Sequence, residues 1–360
     1  MLPSNEGAGV DDYPIQEASC EELANREKRM SARILIGFTS HVLISALLPV
    51  FAAAQAPPAQ QAAAKKPDSP AAAAHVAKAK QTAGAEWASE AHFFCEAPAA
   101  TDANAPVIEP TKLFDNVYAM GRAATVTYAI TTPDGIVMID SGYADDVETI
   151  LLPALKKLGL DPAKIKYAII THGHADHFGG AFFLQEHFGT HVQMSSEDWT
   201  TVMTAPPTAI GAAAVPVPTR DMILTEGQPV TLGGETVTPV FIPGHTAGSM
   251  GLIFPVKDNG KPHVAGLFGG TILVAGRISD DNLQEYLRSI AHFKEKAQAM
   301  KVDVELQNHP TYDNMAEKLM QLKNRKPGAP NPFVVGAANY AKFLDVMTEC
   351  IQADIARRKE

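Results

Sequence analysis

A chain of 360 residues, 46% of them apolar and only 19% charged, has ample material for a core, in one large domain or two small ones. Its formal net charge of -10, with no basic stripe to reverse it, argues against nucleic acid as a partner. Three cysteines, Cys20, Cys95 and Cys350, lack the Cys-x-x-Cys spacing of a thiolate metal site.

Residues 1–54 read as a secretory signal peptide. Arg26, Lys28, Arg29 and Arg33 supply positive charge, Ile34 to Phe51 an apolar run, and Ala52-Ala53-Ala54 a small-residue cleavage site before Gln55. A membrane anchor is the other reading, since about eighteen residues just span a bilayer. Thr39, Ser40, His41, Ser45 and Pro49 interrupt the run and weigh against it. Met30 offers a second start, which would leave residues 1–29 untranslated. Cleavage after Ala54 predicts a periplasmic or secreted protein with no stable membrane insertion. It removes Cys20, and the remaining Cys95 and Cys350 either pair in an oxidising compartment or stay as free thiols. Residues 55–90, rich in Ala, Pro, Gln and Lys, read as a linker or loosely helical arm interrupted at Gly84. The folded domain is expected over residues 91–360, ending in a helix.

From Asp115 the apolar pattern becomes regular. Val117 to Met120, Val126 to Thr131 and Ile136 to Asp140 read as strands, with a tight turn at Pro133-Asp134-Gly135. Val147, Ile150, Leu151, Leu155 and Leu158 recur at helical spacing over Asp145 to Leu158, and Gly159 closes that helix. The strand Tyr167 to Ile170 follows, then a helix through Ala181 to Leu184, a short strand Val192 to Met194, and a helix Ser195 to Met203. A second block repeats this grammar. It has hairpins over Pro229 to Ile242 and Met250 to Phe268, a helix Asp281 to Ala299, a strand Asp303 to Gln307 and a last helix Ala337 to Lys359. Two β-rich halves with flanking helices predict an α/β fold of the α+β kind, two sheets face to face with helices outside, an αββα sandwich.

The chemistry concentrates in Thr171-His172-Gly173-His174-Ala175-Asp176-His177, where a buried strand opens into a loop. Imidazole nitrogen and carboxylate oxygen suit zinc, and close spacing on a loop lets several side chains converge. His245, in Pro243-Gly244-His245-Thr246-Ala247-Gly248-Ser249, and His309, in Asn308-His309-Pro310, also follow strands directly. Six ligands, His172, His174, Asp176, His177, His245 and His309, are too many for one tetrahedral zinc and suit two Zn2+ per chain with open positions. Iron or manganese would also accept such donors. Asp140 reads either as a partner orienting a ligand histidine or as a turn-former before Ser141-Gly142. His75, His92, His187, His191, His263 and His292 lack this context and read as surface or core residues. Trp199, Met203 and the Ala- and Pro-rich stretch Thr204 to Arg220 are candidates for a flap, with Trp199 alternatively a core residue of its helix. Tyr312, three residues past His309, is placed in the cleft as an oxyanion contact.

Thr-His-Gly-His-Ala-Asp-His at 171–177, Gly-His-Thr-Ala-Gly-Ser at 244–249 and the late His309 together resemble the metallo-β-lactamase superfamily over roughly Asp115 to Asp313. The resemblance implies that fold and a binuclear zinc site at one edge. It assigns His172, His174 and His245 to the first zinc, and Asp176, His177 and His309 to the second. Many members place a bridging Asp after a Gly where this chain has Leu267-Phe268-Gly269-Gly270-Thr271. The set is closest to the third subclass of class B β-lactamases, which implies a hydroxide between the metals attacking the carbonyl of a small-molecule acyl substrate. Asp176 would orient that nucleophile. The first expectation is a β-lactam amide. The alternative is another ester, lactone or amide taken by an exported metallo-hydrolase of the same fold, and a non-catalytic zinc-binding protein is the remote one. Where that subclass often has serines for the antibiotic's carboxylate, this chain has Thr271-Ile272-Leu273, of which only Thr271 could contribute.

Overall fold

The computed structural model describes residues 67–97, 102–204, 215–273 and 278–359. The expected signal peptide, the first part of the linker and most of the expected flap lie outside the described residues. Seven strands form one sheet in simple order: β1 (Thr111–Phe114), β2 (Val117–Gly121), β3 (Val126–Thr132), β4 (Gly135–Ile139), β5 (Ile165–Ile169), β6 (His191–Met194) and β7 (Met222–Ile223). Five more, β8 (Val230–Leu232), β9 (Glu235–Phe241), β10 (Met250–Asp258), β11 (Lys261–Leu267) and β12 (Val304–Leu306), form the second sheet in the order β12-β11-β10-β9-β8.

Strand alternation decides what each face meets. Tyr128, Ile130, Val137, Ile139 and Ile169 point inward and pack against Met250, Leu252, Phe254, Val256 and Leu306 of the other sheet. Ala129, Ile136, Met138 and Ala168 point outward. They are covered by α3 (Leu152–Lys157), α4 (Ala175–Phe178), α5 (Ala181–Phe188) and α6 (Ser196–Thr204), through residues such as Leu155, Phe178, Leu184 and Trp199. Val240, Ile242, Ile253 and Phe268 face the other way. They meet Leu283, Tyr286, Ile290 and Phe293 of α7 (Asp280–Ala299). A shorter helix, α8 (Met315–Lys323), leads to the final helix α9 (Ala337–Arg358). The αββα sandwich expected from the pattern is what forms.

Two local expectations change. The helix expected over Asp145 to Leu158 begins as a 3-10 turn at Ala144–Asp146 and a wide turn at Val147–Leu151, becoming α-helical only as α3. Pro153 lacks the N–H that an α-helix would aim at the carbonyl four residues back, so the preceding turn opens. The larger correction is the boundary at residue 91. Residues 70–83 form α1 (Pro70–Ala83), and Ala88–Cys95 form α2. Ala72, Val76, Ala79 and Ala83 lie at helical spacing and are buried, the last three in the same core as Phe343, Met347 and Ile351 of α9. Glu349 of α9 accepts from His75 at 2.8 Å and Lys78 at 2.7 Å. Trp87 donates from Nε1 to the Asn339 carbonyl at 2.9 Å. The small side chains of α1 are a packing face, so α1 and α2 belong to the same compact unit as α9. Among the described residues, no helix is long and apolar enough to cross a membrane.

Cys95 of α2 and Cys350 of α9 are joined by a disulfide across a sequence separation of 255. Closing so long a loop restricts the unfolded chain strongly, with a typical effect of about 2–5 kcal/mol. Thermal unfolding should therefore show a lower Tm for a Cys95→Ala, Cys350→Ala double variant. Reductant should lower the wild-type Tm to the same value and leave that of the variant unchanged.

Candidate metal centre

Parallel pairing of β4 with β5 and of β11 with β12 places their C-terminal ends on the sandwich edges. Because β9 and β11 both run antiparallel to β10, the end of β9 joins β11 and β12 at one edge. Hydrogen bonds tie the sheets together there. Met250 N donates to the Thr171 carbonyl at 2.8 Å, and Val126 N donates to the Asn308 carbonyl at 2.8 Å. The loops after β5, β9 and β12 therefore meet on this rim.

The structure brings all six expected ligands together, three and three. His245 Nε2 lies 3.1 Å from His172 Nε2 and 3.0 Å from His174 Nδ1. His177 Nε2 lies 3.2 Å from His309 Nε2 and 3.4 Å from Asp176 Oδ2. The imidazoles of His172 and His177, one from each triad, have centroids 3.9 Å apart. Tetrahedral zinc with nitrogen bonds of about 2.0–2.1 Å sets its ligand atoms roughly 3.3 Å apart, so each triad fits a metal ion. The local chain explains the division. His172 and His174 flank Gly173 in the bend that precedes α4, whereas Asp176 and His177 sit on the single turn of α4. The second triad is wholly buried, and His174 of the first is exposed. An entering molecule thus meets the first triad from solvent.

The outward nitrogens are fixed from behind, as metal-binding histidines require. His177 Nδ1 faces Asp140 Oδ2 at 2.8 Å, and His309 Nδ1 donates to the Ala124 carbonyl at 2.8 Å. Asp140 also accepts from Thr171 N at 2.8 Å, Thr171 Oγ1 at 3.0 Å and Asn308 Nδ2 at 3.2 Å. Of its two sequence readings, the structure therefore gives the orienting partner. Asp198 was not singled out in the sequence, because an Asp in a helix first turn after Ser195 looks like an ordinary cap. It is fully buried and joins the two loops of the first triad. Its carboxylate accepts from Gly173 N at 2.8 Å, Gly248 N at 3.1 Å and Thr246 Oγ1 at 2.8 Å.

Electrostatics follow from burial and neighbours. Burial pushes the imidazoles of His172 and His245 well below their ordinary value, helped by the surrounding histidines, and takes His309 down to about 4. Burial also works against charge on His177, yet Asp176 and Asp140 overcome it and hold that ring up at about 10. Burial opposes the Asp176 carboxylate too, but His177, His309 and His174 keep it ionised far below the usual range. The first triad is thus held neutral, and in the second the buried Asp176 carboxylate is balanced by a protonated His177 ring, a proton that a bound cation would replace.

The other expected contacts fall differently. Trp199 is fully buried and donates from Nε1 to the Met222 carbonyl at 2.9 Å, so its ring packs the core beneath α6 and is not open to substrate. Tyr312 is also buried, its ring 4.3 Å from that of Phe94, and it walls a cavity instead of facing the open cleft. Thr271 is buried beside the same cavity.

Residues 120–258 match the family model described as the metallo-beta-lactamase superfamily. This chain carries a metallo-β-lactamase superfamily domain. It is similar in structure to BJP-1, a subclass B3 metallo-β-lactamase of Bradyrhizobium japonicum, with TM-score 0.55 and 27% identity over 71% of this chain and 92% of that one. In sequence it is similar to the hydroxyacylglutathione hydrolase of a Synechococcus strain, 31% identical over 34% of this chain, and it spans 42% of that protein's length. It is also 25% identical to an atrochrysone carboxyl ACP thioesterase of Aspergillus fumigatus, over 66% of this chain and 73% of that protein. The matched segment holds β3 to β10, while His309 comes from beyond it.

Two outcomes are expected. Asp198→Ala should weaken metal binding by about 10- to 100-fold in competition with a chromogenic chelator, with the fold retained. In metal-free protein, His172, His245 and His309 titrate below 6.5 when folded, so the unfolded chain binds more protons beneath that pH. Urea unfolding should show stability falling from pH 6.5 towards about 4. His177 has the opposite sign, stabilising below 6.5 and losing that contribution as pH rises towards about 10.

Proposed function

We propose that this chain is an exported metallo-hydrolase with two Zn2+ that opens the amide bond of a β-lactam. The observation that carries the reading is the pair of adjacent triads, their rings as close as 3.9 Å between His172 and His177, with glycines where the β11 loop passes them. A Cβ at Gly270 would lie 2.6 Å from His245 Cδ2, and one at Gly269 would lie 3.0 Å from Thr171 Cβ and clash with the Met250 carbonyl. No acidic side chain can be accommodated at either position, so this loop adds no carboxylate to the six ligands. His172, His174 and His245 would hold one divalent cation and Asp176, His177 and His309 a second, and these would supply Lewis acidity to a carbonyl oxygen and a departing nitrogen and acidify water at neutral pH.

The chain's own residues do the positioning. Asp176, which accepts from Thr125 Oγ1 at 3.1 Å, holds a negative charge and accepts a hydrogen bond from the attacking water. Asp140 keeps His177 Nε2 aimed at the second triad. An amide nitrogen leaves poorly without a partner for its developing charge, whereas a thiolate needs none. A second cation site beside the first is therefore of most use to an amide. Likeness to the hydroxyacylglutathione hydrolase and the thioesterase supports a second reading, hydrolysis of a thioester or ester. Export to the periplasm or beyond is supported by the Cys95–Cys350 disulfide, which persists in oxidising compartments.

Protein purified without added metal should hold two equivalents of zinc by elemental analysis. A panel of a penicillin, a carbapenem, an acyl-homoserine lactone and an acylglutathione should show the β-lactams hydrolysed fastest. Preference for the thioester would favour the second reading, and zinc content without turnover would favour a binding protein. His177→Ala should lower kcat/KM on the preferred substrate by about 10³-fold.

A further inference from the structure

A tight turn at residues 122–125 serves two ligands of the second triad. Two backbone hydrogen bonds close it, Arg122 N to the Thr125 carbonyl at 2.9 Å and Thr125 N to the Arg122 carbonyl at 3.2 Å. Within it, the Ala124 carbonyl accepts from His309 Nδ1, and Thr125 Oγ1 donates to Asp176 Oδ2 at 3.1 Å. That same carboxylate oxygen faces His177 Nε2 at 3.4 Å. Arg122 grips Asp146 through Nε and Nη2, both at 2.6 Å, and so fastens the turn to the segment 141–146. The other end of that segment is tied to α4 and the residues after it. Ser141 N donates to the His177 carbonyl at 2.7 Å, and Gly180 N donates to the Gly142 carbonyl at 3.2 Å. Tyr143, between these two anchors, brings its hydroxyl beside Thr125 and Asp176.

The Tyr143 ring is only half-buried, yet its hydroxyl is buried and has no hydrogen-bond partner, an unfavourable state for a donor. Burial raises this phenol above its ordinary pKa, and the charge of Asp176 adds to the effect, so the group keeps its proton. Thr125 Oγ1 spends its own proton on Asp176 and retains lone pairs that can accept.

We propose that Tyr143 is a positioning residue: its hydroxyl donates to Thr125 Oγ1, and the two form a relay that aims Asp176 Oδ2 at the second cation site and leaves Oδ1 to the attacking water. The relay rests on the metallo-hydrolase reading and deepens it. A carboxylate oxygen has two lone-pair directions, and Thr125 occupies one of those on Oδ2. Linked hydroxyls polarise each other, so the Tyr143 proton strengthens the bond that Thr125 makes.

Zinc affinities from competition with a chromogenic chelator test it, with His174→Ala as the background that isolates the second triad and His177→Ala the first. In the His174→Ala background, Tyr143→Phe should weaken zinc binding about tenfold, and Thr125→Val by about 10- to 100-fold. Both changes together should cost no more than Thr125→Val alone, because a relay broken at Thr125 passes nothing on. Thr125→Ser keeps the hydroxyl and should keep the affinity. In the His177→Ala background, Tyr143→Phe should change nothing, an outcome that a general loosening of the fold would not give. Should Thr125→Val fail to fold, as judged by circular dichroism and Tm, Thr125→Ala completes the same comparison. Unchanged affinity at the second triad, equal weakening at both triads, or additive losses would each overturn the relay and leave the metal centre standing. No zinc bound by the wild type would overturn the metal centre and the relay with it. The expected pattern without turnover on any acyl substrate would keep the relay and overturn the hydrolase.

Discussion

The carboxylate of Asp140 accepts hydrogen bonds from Thr171 at the end of β5 and from Asn308 at the end of β12, and it faces the His177 ring of α4. One buried side chain therefore joins the rims of both sheets to a ligand of the second triad. Its backbone has φ of 58°, a left-handed conformation that Asp tolerates better than most residues because its short side chain bonds locally. The fixed rim is what lets donors from three separate loops approach within hydrogen-bond distance of one another. Without that constraint, five imidazoles and a carboxylate would each solvate separately.

Asp198 does for the first triad what Asp140 does for the second. It binds the backbone of the 172–174 loop and of the 245–249 loop to a single carboxylate, which burial pushes upward in pKa against three opposing hydrogen bonds. Glycine supplies the remaining closeness. Gly173, Gly269 and Gly270 stand where a Cβ would meet Val202, the Met250 carbonyl and His245. A centre of this density is assembled from backbone approach as much as from ligand side chains.

Behind His309 the N-terminal helices complete the domain. Glu90 of α2 is fully buried, and burial raises its carboxyl to about 8, which makes it neutral at pH 7. Nearby, Lys318 of α8 donates to Glu305 of β12 at 3.1 Å, both buried, with the Lys318 ammonium 5.3 Å from the Trp87 ring centroid. Breaking such a pair leaves an uncompensated buried charge, so α8 and β12 are held in register just before the His309 loop. Together with the disulfide, this layer makes α1 and α2 part of the domain and gives the neighbouring cavity its walls.

Much of the architecture was legible in the chain. Strand alternation, helical periodicity and turn residues are local properties, and they carried β2 to β6, the second-sheet hairpins, α7 and α9. The ligand set was legible for the same reason: His172 to His177 are contiguous, and His245 and His309 follow strands whose ends share an edge in a sandwich. Other features depend on which surfaces meet, and those only the tertiary structure decided. An Ala-rich stretch reads equally as linker or as packing face until α9 is laid against it. Tyr312 looked like a site residue by proximity to His309, and Trp199 read either as a flap contact or as core, until the direction of their side chains buried both. Asp198 is indistinguishable from a helix cap until two distant loops close on it. Sequence by itself determined which groups could bind metal, because donor chemistry resides in side chains. Position, burial and the shape of the adjoining cavity came from packing, because they are set by residues tens to hundreds of positions apart.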